Sequence, residues 1–196
     1  EIFPVLNAMF ERIYGESPYK SPTDMGVNMA GFCIVDDAAC RRASEQEIIR
    51  RYYQSLCSLR QGLSEQEEVF KLELLMNQIG LKPESRAVVP AALARAEETG
   101  APAVAMELPN GKLVTGKTSP LLGASSACLL NALKCLGGIP EDVLLISPNI
   151  IEPIQHLKVE HMGNHNPRLH TDEVLIALSI CAVTDPNAEK AMDALA

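Results

Sequence analysis

The sequence APAVAMELPNGKLVTGKTSPLLGASSACLLNALKCLGG, residues 101–138, predicts a strand, a tight turn, a second strand, a Gly/Ser-rich loop and a helix. In its first part, Val104, Met106 and Leu108 alternate with small or polar residues. Alternation with a period of two is typical of a strand that buries one face. We therefore expect a β-hairpin here, and the small residues of the loop should let the following helix approach the hairpin closely.

The turn and the helix of this stretch carry their own signals. Asn110-Gly111 predicts a two-residue turn in which both central residues have positive φ. The segment 124–136 is small and apolar, with leucines at helical spacing, which predicts a helix covered on most of its surface. Gly137 and Gly138 supply the end of that helix.

The part of the chain before this stretch is interpreted as a helical subdomain, residues 1–100. Two pairs, Ser44 with Glu47 and Ser64 with Glu67, have the spacing of capping boxes, so each serine is expected to begin a helix. Helices are predicted at 2–14, from Ser44 to Gly62, from Ser64 to Gly80 and from Ser85 to Thr99. A further helix, from Asp24 to Ile34, is predicted to begin inside the long Pro/Gly/Ser-rich segment 15–31.

Residues 101–196 are interpreted as a small α/β subdomain. The apolar run from Val143 to Ile146 predicts a buried third strand. The predicted fold class is thus α+β to α/β, a helical subdomain followed by a small α/β subdomain with a β-hairpin and packed helices. Further helices are expected from Ile150 to about Met162, from Thr171 to about Val183, and after Asp185-Pro186.

Composition argues against several classes of function. The 196 residues carry a formal net charge of −8, which opposes binding to nucleic acid or to an anionic membrane. Aromatic residues make up 4% of the chain and tryptophan is absent, so base stacking on aromatic side chains is not expected. The sequence contains no apolar run of the roughly 20 residues that a spanning helix needs. We expect a cytoplasmic protein whose six cysteines are reduced, because none has C-x-x-C spacing.

Five segments resemble a family of bacterial proteins of about twice this length, the domain-of-unknown-function 1846 family (uncharacterised protein family 0371). They are EIFPVLNAMFERIYG (1–15), SPYKSPTDMGVNMAG (17–31), EIIRRYYQ (47–54), LLMNQIG (74–80) and GKTSPLLGASSACLLNALK (116–134). The resemblance covers the whole chain and implies that it is the C-terminal half of a longer protein, with the N-terminal half as its partner. It implies no function, and the sequence has no H-E-x-x-H, G-x-S-x-G or Walker motif that would suggest one.

A second resemblance is architectural. The order hairpin, Gly-rich loop, apolar helix, strand, Ser-Pro and helix is similar to that of cytidine-deaminase-like domains, which implies a three-layer topology. Such domains carry zinc ligands in C/H-A-E and P-C-x-x-C motifs. Here these positions hold Ser126-Ala127-Cys128 and, in the second motif, Asn149 and Glu152 in place of the cysteines. Because catalytic zinc needs about three protein ligands, deaminase chemistry is not expected.

Polar residues at a predicted helix start are candidates for binding a phosphate or another anion. Lys117, Thr118 and Ser119, together with Ser125 and Ser126, flank a glycine where backbone N–H groups attract anions. The alternative is a capped helix whose small residues permit close packing.

Two further loops supply candidates for the same kind of ligand. Long loops inside compact domains are often functional, although a simple connection is equally possible for the segment 15–31. The loop HMGNHNPRLH, 161–170, is rich in hydrogen-bonding groups. The candidates are Lys20, Ser21, Thr23, Asp24 and Asn28 in the first loop and Asn164, His165 and Arg168 in the second.

The histidines also cluster in sequence, at His156, His161, His165 and His170. A metal site with Glu160 or Asp172 is one interpretation, but the glycine and proline after His161 interrupt the helix that such a site needs. We therefore predict a polar loop cluster and no metal. Cys128 lies near a helix N-terminus, which lowers a thiol pKa, but it is within a Leu-rich run with no adjacent base, so we expect it to be buried and inert.

These observations support two hypotheses. The first is part of a nucleotide- or phosphate-ligand-binding enzyme whose active site is shared with the N-terminal half of the same protein; the sequence does not identify a cofactor. The alternative is a non-enzymatic oligomerisation or interaction module, suggested by the Leu-rich helix 124–136 and the apolar segment from Val174 to Val183.

Overall fold

The computed structural model describes residues 2–16 and 36–195. The packing of the backbone divides the chain into two compact units, Glu1–Ser85 and Arg86–Ala196. The helix predicted from Asp24 to Ile34 lies outside the described residues.

The described part of the first unit is helical. Its helices are α1 Ile2–Tyr14, α2 Asp37–Arg60 and α3 Gln66–Gln78, followed by the 3₁₀-helix Pro83–Ser85. The buried core of this unit consists of Ile49, Met76 and Leu81, with Ile48 and Tyr52 packed against it. Since α2 supplies Ile49 and α3 supplies Met76, these two helices are held together by the periodic apolar residues that the sequence displays.

Two predicted helix starts in this unit were wrong. Helix α2 begins at Asp37, and the carboxylate of Asp36 accepts a 2.9 Å hydrogen bond from the Ala39 amide. Ser44 is inside that helix, and its hydroxyl donates to the Cys40 carbonyl, the bond a serine makes in a helix interior. Helix α3 begins after Glu65, which provides no side-chain cap, so Ser64 does not form a capping box either.

The second unit contains a hairpin and five α-helices among its described residues. The helix α4 Val88–Thr99 precedes the hairpin and packs against both of its strands. It therefore belongs to the same unit as the residues after 100. The sequence analysis placed it in the helical subdomain. The elements are α4, β1 Ala103–Glu107, β2 Leu113–Lys117, α5 Ala124–Leu136, α6 Pro148–His156, the π-helical segment Leu157–His161, α7 Thr171–Cys181 and α8 Pro186–Asp193.

The hairpin is antiparallel and pairs Ala103 with Lys117 through to Glu107 with Leu113. Its turn differs from the prediction, since in the described residues only glycines have positive φ, and Gly111, at φ 78°, is the turn residue that does. Asn110 keeps negative φ and accepts a 3.0 Å hydrogen bond from the Lys112 amide. The connection is therefore a longer loop with a single left-handed glycine, not the two-residue turn expected from Asn-Gly.

The helix α5 lies directly on β2, as its small residues predicted. A Cβ atom at Gly116 would collide with the backbone nitrogen of Cys128 and lie 2.7 Å from the Ala124 carbonyl oxygen. Farther along the helix, the Asn131 side-chain amide donates 2.9 Å to the Thr115 carbonyl. Glycine at position 116 is what allows the backbones of strand and helix to approach this closely.

The main core of the second unit joins α5, α7 and α8. It includes residues with no exposed surface, such as Val174, Leu178 and Ala188. Leu145 and Ile146 belong to this core, but the run from Val143 to Ile146 is irregular, so the predicted third strand is wrong. A run of apolar residues indicates that a segment is buried but does not show that it is a strand. Here the run packs into the core without pairing with another strand.

The described residues form a mixed fold of helices with a two-stranded antiparallel sheet, an α+β arrangement. The cytidine-deaminase-like three-layer topology is not confirmed. Across residues 2–16 and 36–195, every helix falls short of the combined length and apolar character that crossing a membrane requires.

Candidate functional site

Two of the three predicted loops come together in the structure. Leu122 and Leu169 form an isolated parallel β-bridge. The Leu169 amide donates 3.0 Å to the Leu121 carbonyl, and the Gly123 amide donates 3.2 Å to the Leu169 carbonyl. The residues after β2 and the residues before α7 are therefore one connected surface, which their separation in sequence did not reveal.

The polar groups of these loops are largely engaged in holding the two loops together. The buried Ser126 hydroxyl donates 2.9 Å to the Leu169 carbonyl. The Ser119 hydroxyl accepts from the amides of Leu121 and Leu122. Arg168 donates its Nε to the Ser119 carbonyl over 2.9 Å. Ser119 and Ser126 therefore stabilise the loops, but neither caps α5, whose N-cap Gly123 has no side-chain cap, and whether they also bind an anion stays a prediction.

The remaining predicted residues of these loops are more exposed. Lys117, Ser125 and His165 are exposed, while the Thr118 amide donates to the Pro102 carbonyl beside the hairpin. Asn164 accepts from the Asn166 amide and so shapes its own loop. No described contact joins these five residues in one cluster, and whether any of them binds an anion stays a prediction.

A buried ion pair lies behind the second loop. Lys158, on the π-helical segment, is 3% exposed, and its Nζ donates 2.8 Å to both a Glu173 carboxylate oxygen and the Arg168 carbonyl. The same carboxylate accepts from the His170 amide at 2.7 Å. Burial raises the pKa of Glu173, but these hydrogen bonds and the Lys158 charge outweigh it and the pKa is lowered overall. The ion pair thus fixes the chain between α6 and α7.

The candidates Lys20, Ser21, Thr23, Asp24 and Asn28 lie outside the described residues, so their role stays a prediction. The histidines lie partly together, with the rings of His156 and His161 5.5 Å apart. Within the described residues, no three His, Cys, Asp or Glu side chains are grouped so that they could hold a metal ion.

The structure confirms the prediction that Cys128 is buried. Its side chain is fully buried, and burial raises the pKa of the thiol, which is the opposite of an activated nucleophile. The five cysteines of the described residues, Cys40, Cys57, Cys128, Cys135 and Cys181, are all free thiols.

A cavity of about 650 Å³ in the second unit was missed by the sequence analysis. We name it the basic cavity, because cationic side chains from three separate segments line it. Its lining combines the end of α4, β2, the outer part of α5 and the connection that follows α5. The lining residues are Arg95, Lys112, Leu113, Val114, Thr115, Asn131, Lys134, Cys135, Gly138, Ile139 and Glu141.

The basic cavity has an excess of positive charge. Arg95, Lys112 and Lys134 line it with a single carboxylate, that of Glu141, in a chain whose net charge is −8. The Nε of Arg95 is buried and has no hydrogen-bond partner. A buried N–H without a partner costs free energy.

Backbone groups of β2 add to the donors of the basic cavity. The Leu108 amide bonds the Lys112 carbonyl and the Thr118 amide bonds the Pro102 carbonyl. In an antiparallel pair the hydrogen-bonded and non-bonded pairs alternate, so the backbone groups of Leu113 and Thr115 point away from β1. The bond from Asn131 to the Thr115 carbonyl agrees with this direction. The amides of Leu113 and Thr115 therefore lie on the edge of the strand that lines the cavity.

Sequence reasoning had little chance of finding the basic cavity. Arg95 lies three residues before Glu98 on a helix, a pattern that usually indicates a solvated ion pair, and the two are indeed 2.7 Å apart. Lys112 follows the turn and Lys134 ends a helix, where lysine is expected for capping and solubility. Only the packing of α4 and α5 on one hairpin brings the three cations together.

The whole chain matches the two parts of one family. The description "Domain of unknown function DUF1846, N-terminal" matches residues 1–80, and "Domain of unknown function DUF1846, C-terminal" matches residues 84–196. The chain therefore belongs to the DUF1846 family. The meeting point of the two matches lies close to the division between the two structural units.

Curated relatives of the chain are bacterial and longer. A UPF0371 protein of Streptococcus thermophilus (strain ATCC BAA-491 / LMD-9) is 56% identical over 195 residues, and one of Streptococcus pneumoniae (strain JJA) is 54% identical over 195 residues. In both comparisons all of this chain is covered, but it spans 40% of the relative's length. The names of these relatives describe no activity.

Proposed function

We propose that the second unit binds a small phosphate-bearing ligand in the basic cavity. The observation that supports this is that Arg95, Lys112 and Lys134 line one concave site together with a single carboxylate. Phosphate oxygens accept hydrogen bonds only, and charge-assisted bonds to arginine and lysine are among the strongest that proteins make. A volume of about 650 Å³ lies within the usual range for small-molecule sites.

The pairing of Arg95 with Glu98 does not remove its capacity to bind an anion. The carboxylate of Glu98 accepts from one terminal nitrogen of the guanidinium over 2.7 Å and is 67% exposed on its side chain. A guanidinium has five N–H donors, so the other terminal nitrogen is left for a ligand, whereas Nε is buried. An exposed ion pair of this kind contributes at most about 1 kcal/mol, less than a phosphate contact would.

Lys134 is held in position to take part. Its Nζ donates 2.9 Å to the Glu141 carbonyl, which ties the end of α5 to the connection after it. An ammonium group has three donors, and this bond uses one of them. The lysine is therefore fixed by the fold while two donors stay available for the ligand.

The test is a titration with inorganic phosphate at constant ionic strength, followed by calorimetry and by the melting temperature. We expect saturable binding and a rise in melting temperature that chloride does not reproduce. The variants Arg95→Gln and Lys112→Gln each remove a charge-assisted contact of about 1.5 kcal/mol or more, so each should weaken binding at least about tenfold.

Lys117→Gln is the matched control for Lys112→Gln. Lys112 and Lys117 bracket the same strand, both are exposed, and only Lys112 lines the basic cavity. Equal weakening by both substitutions would indicate general electrostatic attraction and would contradict the proposal. Weakening by Lys117→Gln alone would move the ligand to the loop after β2, where the sequence analysis placed it.

We also infer that this binding serves an enzyme whose site is completed by the rest of the family protein, with the N-terminal half as partner. One fact supports the inference: the chain spans 40% of the length of its family relatives. Calorimetry with inorganic phosphate on this chain and on the full-length Streptococcus thermophilus relative tests it, because a site completed by the rest of the protein should bind more tightly in the complete protein. Equal affinity in the two proteins would contradict a shared site.

A second candidate function is interaction through an exposed apolar face of α7. Ile176 and Ile180 lie on α7 and Val183 lies in the turn that follows it, and each of the three is more than 60% exposed. The occupant we propose is the part of the family protein beyond this chain, since the chain spans 40% of the relatives' length. The other reason to predict an interaction module was the Leu-rich helix α5. It is weaker, because Cys128, Leu130 and Leu133 of that helix are buried within the unit.

The double substitution Ile176→Lys and Ile180→Lys tests the role of that face. The melting temperature of this chain should change little, while lysines at the two aligned positions of the full-length Streptococcus thermophilus relative should lower its melting temperature, because the proposed contact is disrupted. A concentration-dependent dimer of this chain that the double substitution dissociates would instead assign the face to a second copy. Unchanged stability in both proteins would contradict the interaction.

A further inference from the structure

The lining of the basic cavity contains acceptors as well as donors, and this mixture restricts the class of ligand. Asn131 uses its amide nitrogen on the Thr115 carbonyl, so its Oδ1 has no partner in the described part of the chain. Glu141 contributes a carboxylate and Thr115 a hydroxyl to the same lining. A fully ionised phosphate group has no proton to donate to the acceptors of Asn131 and Glu141, whereas the Thr115 hydroxyl can act as donor or acceptor.

A ligand that satisfies the whole lining must therefore carry donors beside its anionic group. Hydroxyl groups meet this need, since each donates to Asn131 or Glu141 and can also accept from Lys112 or an amide of β2. Asn131 and Glu141 are exposed, so water occupies their acceptors in the free protein and a ligand hydroxyl would replace that water. A free phosphate fills one part of the cavity and leaves the other part to water.

The apolar part of the lining argues against a nucleobase. Protein sites for bases commonly stack them on aromatic or guanidinium planes. Of the described residues that line the basic cavity, none is aromatic, and the apolar ones are aliphatic or small: Leu113, Val114, Cys135 and Ile139. The volume of about 650 Å³ admits both a nucleotide and a smaller ligand, so the volume does not distinguish them and the chemistry of the lining residues must.

We propose that the basic cavity takes a phosphorylated polyol, such as a sugar phosphate, with the phosphate at Arg95 and Lys112 and the hydroxyl groups toward Asn131 and Glu141. This inference rests on the proposed function, because it names the ligand class of the same site. It goes further by separating the lining into an anion-binding part and a hydroxyl-binding part. Arg95 and Lys112 lie on α4 and at the hairpin turn, whereas Asn131 and Glu141 lie on and after α5.

Calorimetry with four probes tests the division: inorganic phosphate, glucose 6-phosphate, glucose and AMP. We expect glucose 6-phosphate to bind at least tenfold more tightly than inorganic phosphate, AMP to bind less tightly than glucose 6-phosphate, and glucose alone to bind weakly. Phosphate binding together with tighter binding of AMP than of glucose 6-phosphate would overturn the polyol assignment and leave the proposed function intact. No binding of any phosphorylated probe would overturn both.

Glu141→Ala provides the residue-level test. It should reduce the preference for glucose 6-phosphate over inorganic phosphate to less than threefold without weakening inorganic phosphate. Asp142→Ala is its matched control, because Asp142 is the neighbouring exposed carboxylate and does not line the cavity. Lys134→Gln, in contrast, should weaken both probes. An unchanged preference in Glu141→Ala would contradict the hydroxyl-binding role even if the Arg95 and Lys112 variants behave as expected.

Discussion

Gly116 on β2 and Cys128 on α5 meet backbone to backbone, with no room for a side chain at position 116. A Cβ there would overlap the Cys128 nitrogen and lie 2.5 Å from its Cα atom. The thiol of Cys128 in turn donates over 3.5 Å to the Val114 carbonyl. This contact sets how closely the helix lies on the hairpin, and hence how α5 and β2 border the basic cavity.

Gly116→Ala should therefore destabilise the second unit strongly. The atoms that the new methyl group meets are backbone atoms, which cannot rotate away, and overpacking of this kind costs about 1–3 kcal/mol or more. Thermal unfolding should show a decrease of several degrees, at about 2–4 °C per kcal/mol for a chain of this size.

Gly123→Ala is the matched control for this substitution. A Cβ at Gly123 would meet only ordinary contacts, 3.6 Å from the Leu169 carbonyl oxygen, and its φ of −69° suits any residue. The expected loss is below about 1 kcal/mol, the usual effect of a small change at a helix N-cap. Equal destabilisation by the two substitutions would contradict the close approach at Gly116.

The ion pair of Lys158 and Glu173 should be strongly coupled. Lys158→Met leaves the partly buried Glu173 carboxylate and the Arg168 carbonyl without their donor, so it should cost about 3 kcal/mol. Once Lys158 is absent, the further change Glu173→Gln should cost little, because glutamine still accepts from the His170 amide. A double-mutant cycle measured by denaturant unfolding should give a coupling above about 0.5 kcal/mol. Additive effects of the two substitutions would show that the contact contributes nothing.

The same carboxylate should make stability depend on pH in the acid range. The pKa of Glu173 in the folded protein is lowered, despite the opposing effect of burial, by Lys158 and the His170 amide. A lowered pKa means that the folded state favours the charged form, so the stabilisation is complete above the ordinary pKa near 4.3 and is lost as the pH falls through the folded pKa. The difference in unfolding free energy between the natural chain and Glu173→Gln should therefore shrink from pH 6 toward pH 3. A difference that grows on acidification would contradict the assigned direction.

Local sequence signals predicted much of the fold and little of the cavity. Gly100 and Gly111 have the positive φ that helix ends and turns need, and the apolar periods of α1, α5 and α7 located those helices. The start of α2 was misplaced because Asp36 is as good a cap as Ser44, and sequence alone does not rank two competing caps. The three cations of the basic cavity come from segments that touch only after α4 and α5 pack on the hairpin, and such long-range contacts leave no local pattern.

Thiol reactivity should separate the cysteines of the described residues by burial. Cys57 is exposed, whereas Cys128 is completely buried and Cys181 is 8% exposed. Burial raises the pKa of both buried thiols, so they are also less ionised at neutral pH. In a Cys33→Ser background, iodoacetamide followed by peptide mass spectrometry should modify Cys57 within the native state and Cys128 only after unfolding. The Cys128 rate should then report global opening of the second unit, and Gly116→Ala should increase it. Alkylation of native Cys128 as fast as Cys57 would contradict the inert, buried assignment and would reopen its interpretation as a nucleophile.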